Sequence, residues 1–153
     1  MTQRGYQALK DELKRLKSQE RPAAVEAIRL AREHGDLSEN AEYDAAKDKQ
    51  GHIEARISAF EDRLARADVV DISSMPLDRV RFGTRVVLED VASGEEIVYT
   101  LVGEHEADVA QGLLSVTSPV GRALIGKQVD EEVAVAVPAG TRTYEVREIG
   151  AME

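Results

Sequence analysis

The chain has 153 residues, 42% of them apolar and 32% charged, with no Cys and no Trp, which is room for one ordinary domain or two small ones. This composition excludes long disorder and a collagen-like fibre, and the missing Cys excludes a disulfide scaffold, thiol catalysis and Cys-based zinc sites while fitting a reducing compartment. The net charge of −9 argues against a protein that coats phosphate backbones with a continuous basic face.

The charge is uneven: residues 1–75 hold 13 basic and 15 acidic side chains, residues 76–153 hold 7 and 14. No apolar run approaches the roughly 18 residues that span a bilayer, and the N-terminus is charged where a signal peptide would be greasy. A soluble, cytoplasmic protein without a membrane partner is the expectation.

From Tyr6 to about Ile72 the pattern is helical. Tyr6, Leu9, Leu13 and Leu16 step by three and four, and Val25 and Ile28 resume the seam after a phase shift near Arg21-Pro22, where a proline should kink or restart the helix. In the second helix Ala46, Gln50, Ile53, Ile57, Phe60, Leu64 and Ala67 keep the spacing of a coiled-coil seam. Between the helices lies the short polar segment His34-Gly35-Asp36-Leu37-Ser38-Glu39-Asn40, suited to the connection of an antiparallel hairpin. Two helices of about 28 residues give a rod on the order of 40 Å long.

The period changes from helical to alternating near residues 73–79, which marks a domain boundary. Strands are expected at Arg85–Glu89, Glu96–Val102, Leu113–Val116, Glu132–Val137 and Tyr144–Arg147, separated by turns that include Ser93-Gly94 and Pro138-Ala139-Gly140. Ser118–Ile125 reads as one short helix, with Ser118 at the N-cap and Pro119 in the first turn. The fold class is therefore α+β: an antiparallel coiled-coil hairpin over residues 1–74, with its acidic end at 35–40, and a largely antiparallel β domain over 79–153 carrying one short helix.

Candidate catalytic groups are few. His34, His52 and His105 stand in no metal-ligand spacing. The run Gly121–Gln128 approaches a phosphate-binding loop but lacks the Ser/Thr that would hold magnesium, and it is apolar where the backbone must curl. Asp36 and Glu39, three residues apart, admit two readings. One is a capping box with Asp36 at the N-cap, both acids favoured by the helix dipole. The other is a carboxylate pair presented at the end of a rod, a weak isolated Mg²⁺ site that a second molecule could complete.

Arg21-Pro22, Ala31 through Tyr43 (AREHGDLSENAEY), Ala46-Lys47 and Glu54–Ile57, followed by Ile97–Tyr99, Val102-Gly103, Glu106–Asp108, Ser118-Pro119 and Arg122–Lys127, closely resemble the GreA/GreB family of bacterial transcript-cleavage factors. The resemblance runs over nearly the whole chain. It implies an N-terminal coiled coil, a C-terminal FKBP-like domain that docks on the rim of the RNA polymerase secondary channel, and a coiled-coil end that reaches the active centre. It also implies that Asp36 and Glu39 help hold a catalytic Mg²⁺ shared with the polymerase, with none bound by the free protein. Two-metal phosphodiester hydrolysis needs one ion to acidify water and one to hold the leaving oxygen.

The same resemblance places Tyr43, Arg32 and Lys47 near the nascent RNA 3′ end and assigns Ser118, Pro119, Arg122 and Leu124 to polymerase docking, with DNA met only through the elongation complex. Without it, Tyr43 reads equally as a packing aromatic, Arg32 and Lys47 as a solvated face or partners of Glu33, Asp44 or Asp48, and the docking segment as helix capping and core. Gly121 stands where the family motif suggests Ala, a change expected to loosen the short helix by roughly 1 kcal/mol. The second half has few aromatics with which to line a prolyl-isomerase pocket, so a binding module is expected there.

The function that follows is a factor, not an enzyme by itself, that stimulates the polymerase's own cleavage of backtracked RNA. The competing readings are a non-catalytic secondary-channel regulator and a plain coiled-coil adaptor.

Overall fold

The computed structural model describes residues 1–33 and 40–152, and the chain divides into two units, Arg4–Asp68 and Met1–Gln3 together with Val69–Glu153. The helical unit is built from α1 (Gln3–Arg15), a π-helical turn (Leu16–Glu20), α2 (Arg21–Arg32) and α3 (Ala41–Arg66). No helix among the described residues is long and apolar enough to cross a membrane.

Pro22 has no N–H to offer the preceding turn, and its ring presses on the carbonyl there. The helix is wound wide just before it: the Arg21 N–H donates to the Leu16 carbonyl, and both flanking residues keep helical dihedrals. The expected kink or restart is therefore a continuous helix with one π turn. That turn inserts one residue, so the seam passes from Leu16, fully buried, to Ala24 and Ala31, each 3% exposed, with Ile28 between them half-buried. Val25, expected in the seam, is 53% exposed. In α3 the expected register holds: Ile53 and Ile57 are buried, with Tyr43, Ala46, Gln50, Phe60 and Leu64 half-buried along the same stripe. Leu16, Ala24, Ile53 and Ile57 form the core of the pair, backed by Leu13 and Phe60.

Cross-helix ion pairs show the antiparallel sense. Lys17 meets Glu61 and Arg21 meets Glu54, each at 2.7 Å, so as one helix is climbed the other is descended, and Arg56 reaches back to Glu12 at 3.4 Å. The Arg21 guanidinium beside Glu54 holds that carboxyl below the usual range, as Arg29 does for Glu26 and Arg15 does for Glu12.

In the second unit β1 (Thr84–Asp90), β2 (Glu96–Val102), β3 (Leu113–Ser115), β4 (Glu132–Val137) and β5 (Gly140–Ala151) form one sheet in the order β3-β2-β1-β5-β4. All pairs are antiparallel except β2 with β3, which run parallel. The sheet is therefore mixed. Two single-turn helices, Glu104–Glu106 and Val109–Gln111, carry the chain from β2 back to the start of a strand running the same way. One face buries Val86, Leu88, Leu101, Val133, Val135, Tyr144 and Val146 under α4 (Pro119–Leu124). On the other face the register aligns Glu96, Glu89, Glu145 and Glu132 across four strands. Arg147 lies among them, bonded to Glu89 and 3.5 Å from Glu145.

Residues 1–3 belong to this unit. Thr2 bridges to Val70 in parallel fashion, the Val70 N–H donates to Met1 O at 3.0 Å, and Glu106 accepts from the Thr2 N–H at 2.9 Å and from the Thr2 hydroxyl. The second Glu106 oxygen accepts from the Gly103 N–H at 2.9 Å. These bonds put the division at Asp68/Val69, ahead of the change in period at residues 73–79.

Glu106→Ala removes one acceptor group from three donors, and urea unfolding of the β unit should show a loss of roughly 2–4 kcal/mol. The depressed Glu12, Glu26 and Glu54 carboxyls contribute stability that is present above their unfolded pKa and is lost as pH falls through the folded one. Helix content followed in an acid titration should therefore decline below the ordinary carboxylate range, with a shallower decline in high salt because the pairs are exposed.

Candidate functional site at the end of the helical hairpin

The helices reach their common end at Arg32 in α2 and at Asn40, the N-cap of α3. Arg29 and Arg32 occupy the last turn of α2, and Glu42 and Asp44 the first turn of α3, each sign matching the helix dipole it faces. Asn40 is extended, with φ −89° and ψ 100°. Its side-chain oxygen accepts from the Tyr43 N–H at 3.0 Å, and its amide nitrogen donates to the Ala31 carbonyl at 2.6 Å. One side chain thus caps the start of α3 and ties it to the last turn of α2. The reading in which Asp36 caps the second helix is corrected: that helix begins at Ala41, and the cap is Asn40. Asp36 and Glu39 lie outside the described residues.

Three of the expected residues are brought together. The Arg32 guanidinium and the Lys47 ammonium each stand 5.9 Å from the centroid of the Tyr43 ring, within cation–π range. Tyr43 lies half-buried on the α3 seam, so it packs between the helices while its ring faces both cations. The alternative in which Arg32 and Lys47 pair with Glu33, Asp44 or Asp48 is not formed among the described residues. Glu33 instead takes Arg29 at 2.6 Å. Beside the cluster an open groove of about 610 Å³ runs along Val25, Ile28, Arg32, Lys47 and Gln50, and the exposure of Val25 gives it an apolar wall. Among the described residues no group of three or more His, Asp or Glu side chains could hold a metal ion.

The expected docking residues sit around α4 in the other unit. The Ser118 hydroxyl accepts from the Gly121 N–H at 3.0 Å and donates to Ser115 O at 2.6 Å, Pro119 takes the first turn, and Arg122 donates through Nε to Thr117 O at 2.7 Å. Leu124 is fully buried in the sheet core, so it supports this helix from beneath. The exposed apolar side chain beside it is Ile125, at 41%. The resemblance of Gly121–Gln128 to a phosphate loop ends at the backbone, where Gly121 is inside α4 and the Gly126 N–H donates to Val80 O at 2.8 Å.

Sequence reasoning missed Asn40, although an Asn directly before a run with acids in its first turn is a recognisable N-cap signal. It also misjudged Gly121. A Cβ there would lie 2.1 Å from the Ser115 carbonyl oxygen and 2.9 Å from Ser118 Oγ, so the glycine tightens this segment by close approach.

Family comparison agrees with the residue pattern. Residues 1–69 match the model described as "Transcription elongation factor, N-terminal", and residues 75–151 match "Transcription elongation factor, GreA/GreB, C-term". The chain is 59% identical to transcription elongation factor GreA of Hyphomonas neptunium over 95% of this chain and 93% of that one. It is 56% identical to GreA of Trichlorobacter lovleyi over 97% and 94% of the two chains. The solved structure of GreA factor homolog 1 of Thermus thermophilus is 31% identical, covering 99% of this chain and 97% of that one, with a TM-score of 0.44.

Gly121→Ala should destabilise the β unit by about 1–3 kcal/mol through overpacking against Ser115, opposite to the gain that helix propensity alone forecasts; a thermal melt gives the sign.

Proposed function

This chain belongs to the GreA/GreB family of transcription elongation factors, and from that premise we propose that it enters RNA polymerase through the secondary channel and stimulates the polymerase's own cleavage of a backtracked transcript. Short 3′ RNA fragments leave and elongation resumes. What supports this reading is that α2 and α3 run antiparallel and end side by side at Arg32 and Asn40, which flank the acidic segment in sequence, away from the residues through which the chain enters and leaves the hairpin. With 26 residues, α3 is about 39 Å long, long enough to carry that end down a channel.

Asp36 and Glu39 supply two hard oxygen ligands, the donor type Mg²⁺ prefers and fewer than its octahedral shell requires. The remaining ligands come from the polymerase, so the free chain is a ligand donor and not a nuclease. Held by Asp36, Glu39 and groups of the polymerase, such an ion would supply acidification of a bound water and stabilisation of charge on the phosphate. Arg32 and Lys47 present positive charge to the RNA backbone, and Tyr43 offers an aromatic face to the 3′-terminal base. The exposed part of the α4 segment, Pro119, Arg122 and Ile125, is the surface offered to the channel rim, and Ser118 holds its first turn. DNA is met through the elongation complex, and the setting is the bacterial cytoplasm.

A reconstituted backtracked complex with 3′-labelled RNA tests this. The wild-type chain should release short labelled fragments in Mg²⁺, and the Asp36→Asn, Glu39→Gln double variant should fall to the unstimulated rate of the polymerase while still competing for binding. No release by the wild type, with binding retained, would make it a channel-blocking regulator instead.

A further inference from the structure

We propose that the base of the hairpin, the end at which the chain enters and leaves it, carries a docking notch for an acidic, leucine-bearing segment of RNA polymerase. The inference rests on polymerase binding as proposed above and adds a contact that is neither at the other end of the hairpin nor on α4.

Where α1 and the π turn pass the last turns of α3, Lys10, Leu13, Lys14, Lys17, Ser18 and Leu64 line an open groove of about 400 Å³. Leu13 and Leu64 are both half-buried. Leu13 backs the core of the helix pair, and the sides that these leucines leave uncovered make the floor of the groove. The lysines follow one another at helical spacing, and their methylene stems extend the apolar surface while the ammonium heads stay in water. Lys17 and Ser18 come from the π turn, a distortion that concentrates at functional sites.

The neighbouring acids of α1 and α3 are already engaged. Glu61 pairs with Lys17 at 2.7 Å, Asp62 with Arg66 at 3.0 Å and Glu12 with Arg15 at 2.6 Å, and Asp11 accepts from Gln7 at 2.9 Å. Among the described residues Lys10 and Lys14 have no carboxylate partner; the Lys10 ammonium lies 5.7 Å from the centroid of the Tyr6 ring. Two uncompensated cations beside an apolar floor, in a chain of net charge −9, call for a complement that brings carboxylates and an aliphatic side chain together. A nucleic acid fits this lining poorly, because no aromatic ring or guanidinium is present to stack a base. An acidic protein segment fits it, and a hairpin inserted by its far end leaves this base at the channel entrance, where the polymerase can supply one.

The full chain tests this directly. With no native Cys, Ser18→Cys gives a unique thiol for a photo-crosslinker; in the complex with polymerase it should mark a segment rich in Asp and Glu. The Lys10→Glu, Lys14→Glu double variant should bind polymerase about tenfold more weakly, with a shallower salt dependence, whereas Lys10→Arg, Lys14→Arg should bind like the wild type. Helix content of the free variants should be unchanged. Wild-type affinity and salt dependence in the Glu variant would overturn the inference, as would a crosslink to nucleic acid or to a basic segment, or a parallel loss of helix content and binding. In each of those cases a wild type that still binds leaves the proposed function standing; a wild type that fails to bind polymerase sinks that function and this inference with it.

Discussion

Two helices packed against each other have a narrow stripe each to bury, and the helical unit is organised by that shortage. Its buried cluster holds Leu16, Ala24, Ile53 and Ile57, and a buried aliphatic side chain contributes roughly 1.5–3 kcal/mol. A seam this narrow cannot absorb a phase error, since one misplaced turn would expose half of it. The π turn before Pro22 is where the phase is reset: it takes the strain of the proline and returns Ala24 and Ala31 to the stripe. Charges on both flanks, such as Arg21 with Glu54 and Lys17 with Glu61, then set register without adding buried surface.

The same narrowness makes the end of the hairpin a place where polar groups decide geometry. Small residues on α2 let the helices approach closely, and the close approach lets one asparagine satisfy both. Tyr43 sits half-buried on the seam near this end, where its ring still meets Arg32 and Lys47. Packing and cation contact are thus compatible at this residue.

In the β unit the constraints come from the sheet. Glu106 gathers the Thr2 and Gly103 donors, and Gly121 lets α4 press on the Ser115 carbonyl. The register places four glutamates in one cross-strand row with Arg147 among them. Like charges directly opposite one another are costly, and this row concentrates on one face part of the negative charge of residues 76–153.

Much of this was legible in the order of residues. The α3 stripe from Ala46 to Leu64 and four of the strands appear where their spacing places them, and the expected Tyr144–Arg147 lies inside a longer fifth strand, Gly140–Ala151, because period and turn chemistry are local properties that each segment carries alone. The acid pair at 36 and 39 and the aromatic at 43 are likewise plain in the sequence. What escaped it depends on a partner distant in the chain or on the path the backbone takes. Val25 was chosen over Ala24 because the extra residue of the π turn is invisible to a helical wheel. For Leu124 the reading as core holds and the docking role taken from the family resemblance does not, since the sheet buries it; the parallel pairing of β3 was missed because two short turns redirect the chain, and Gly121 was judged by propensity when a carbonyl six residues away decides it. Asn40 is the sharpest case. Its identity as a cap is a local signal, whereas its bond to Ala31 exists only because the helices have packed at a distance that no segment of the sequence contains.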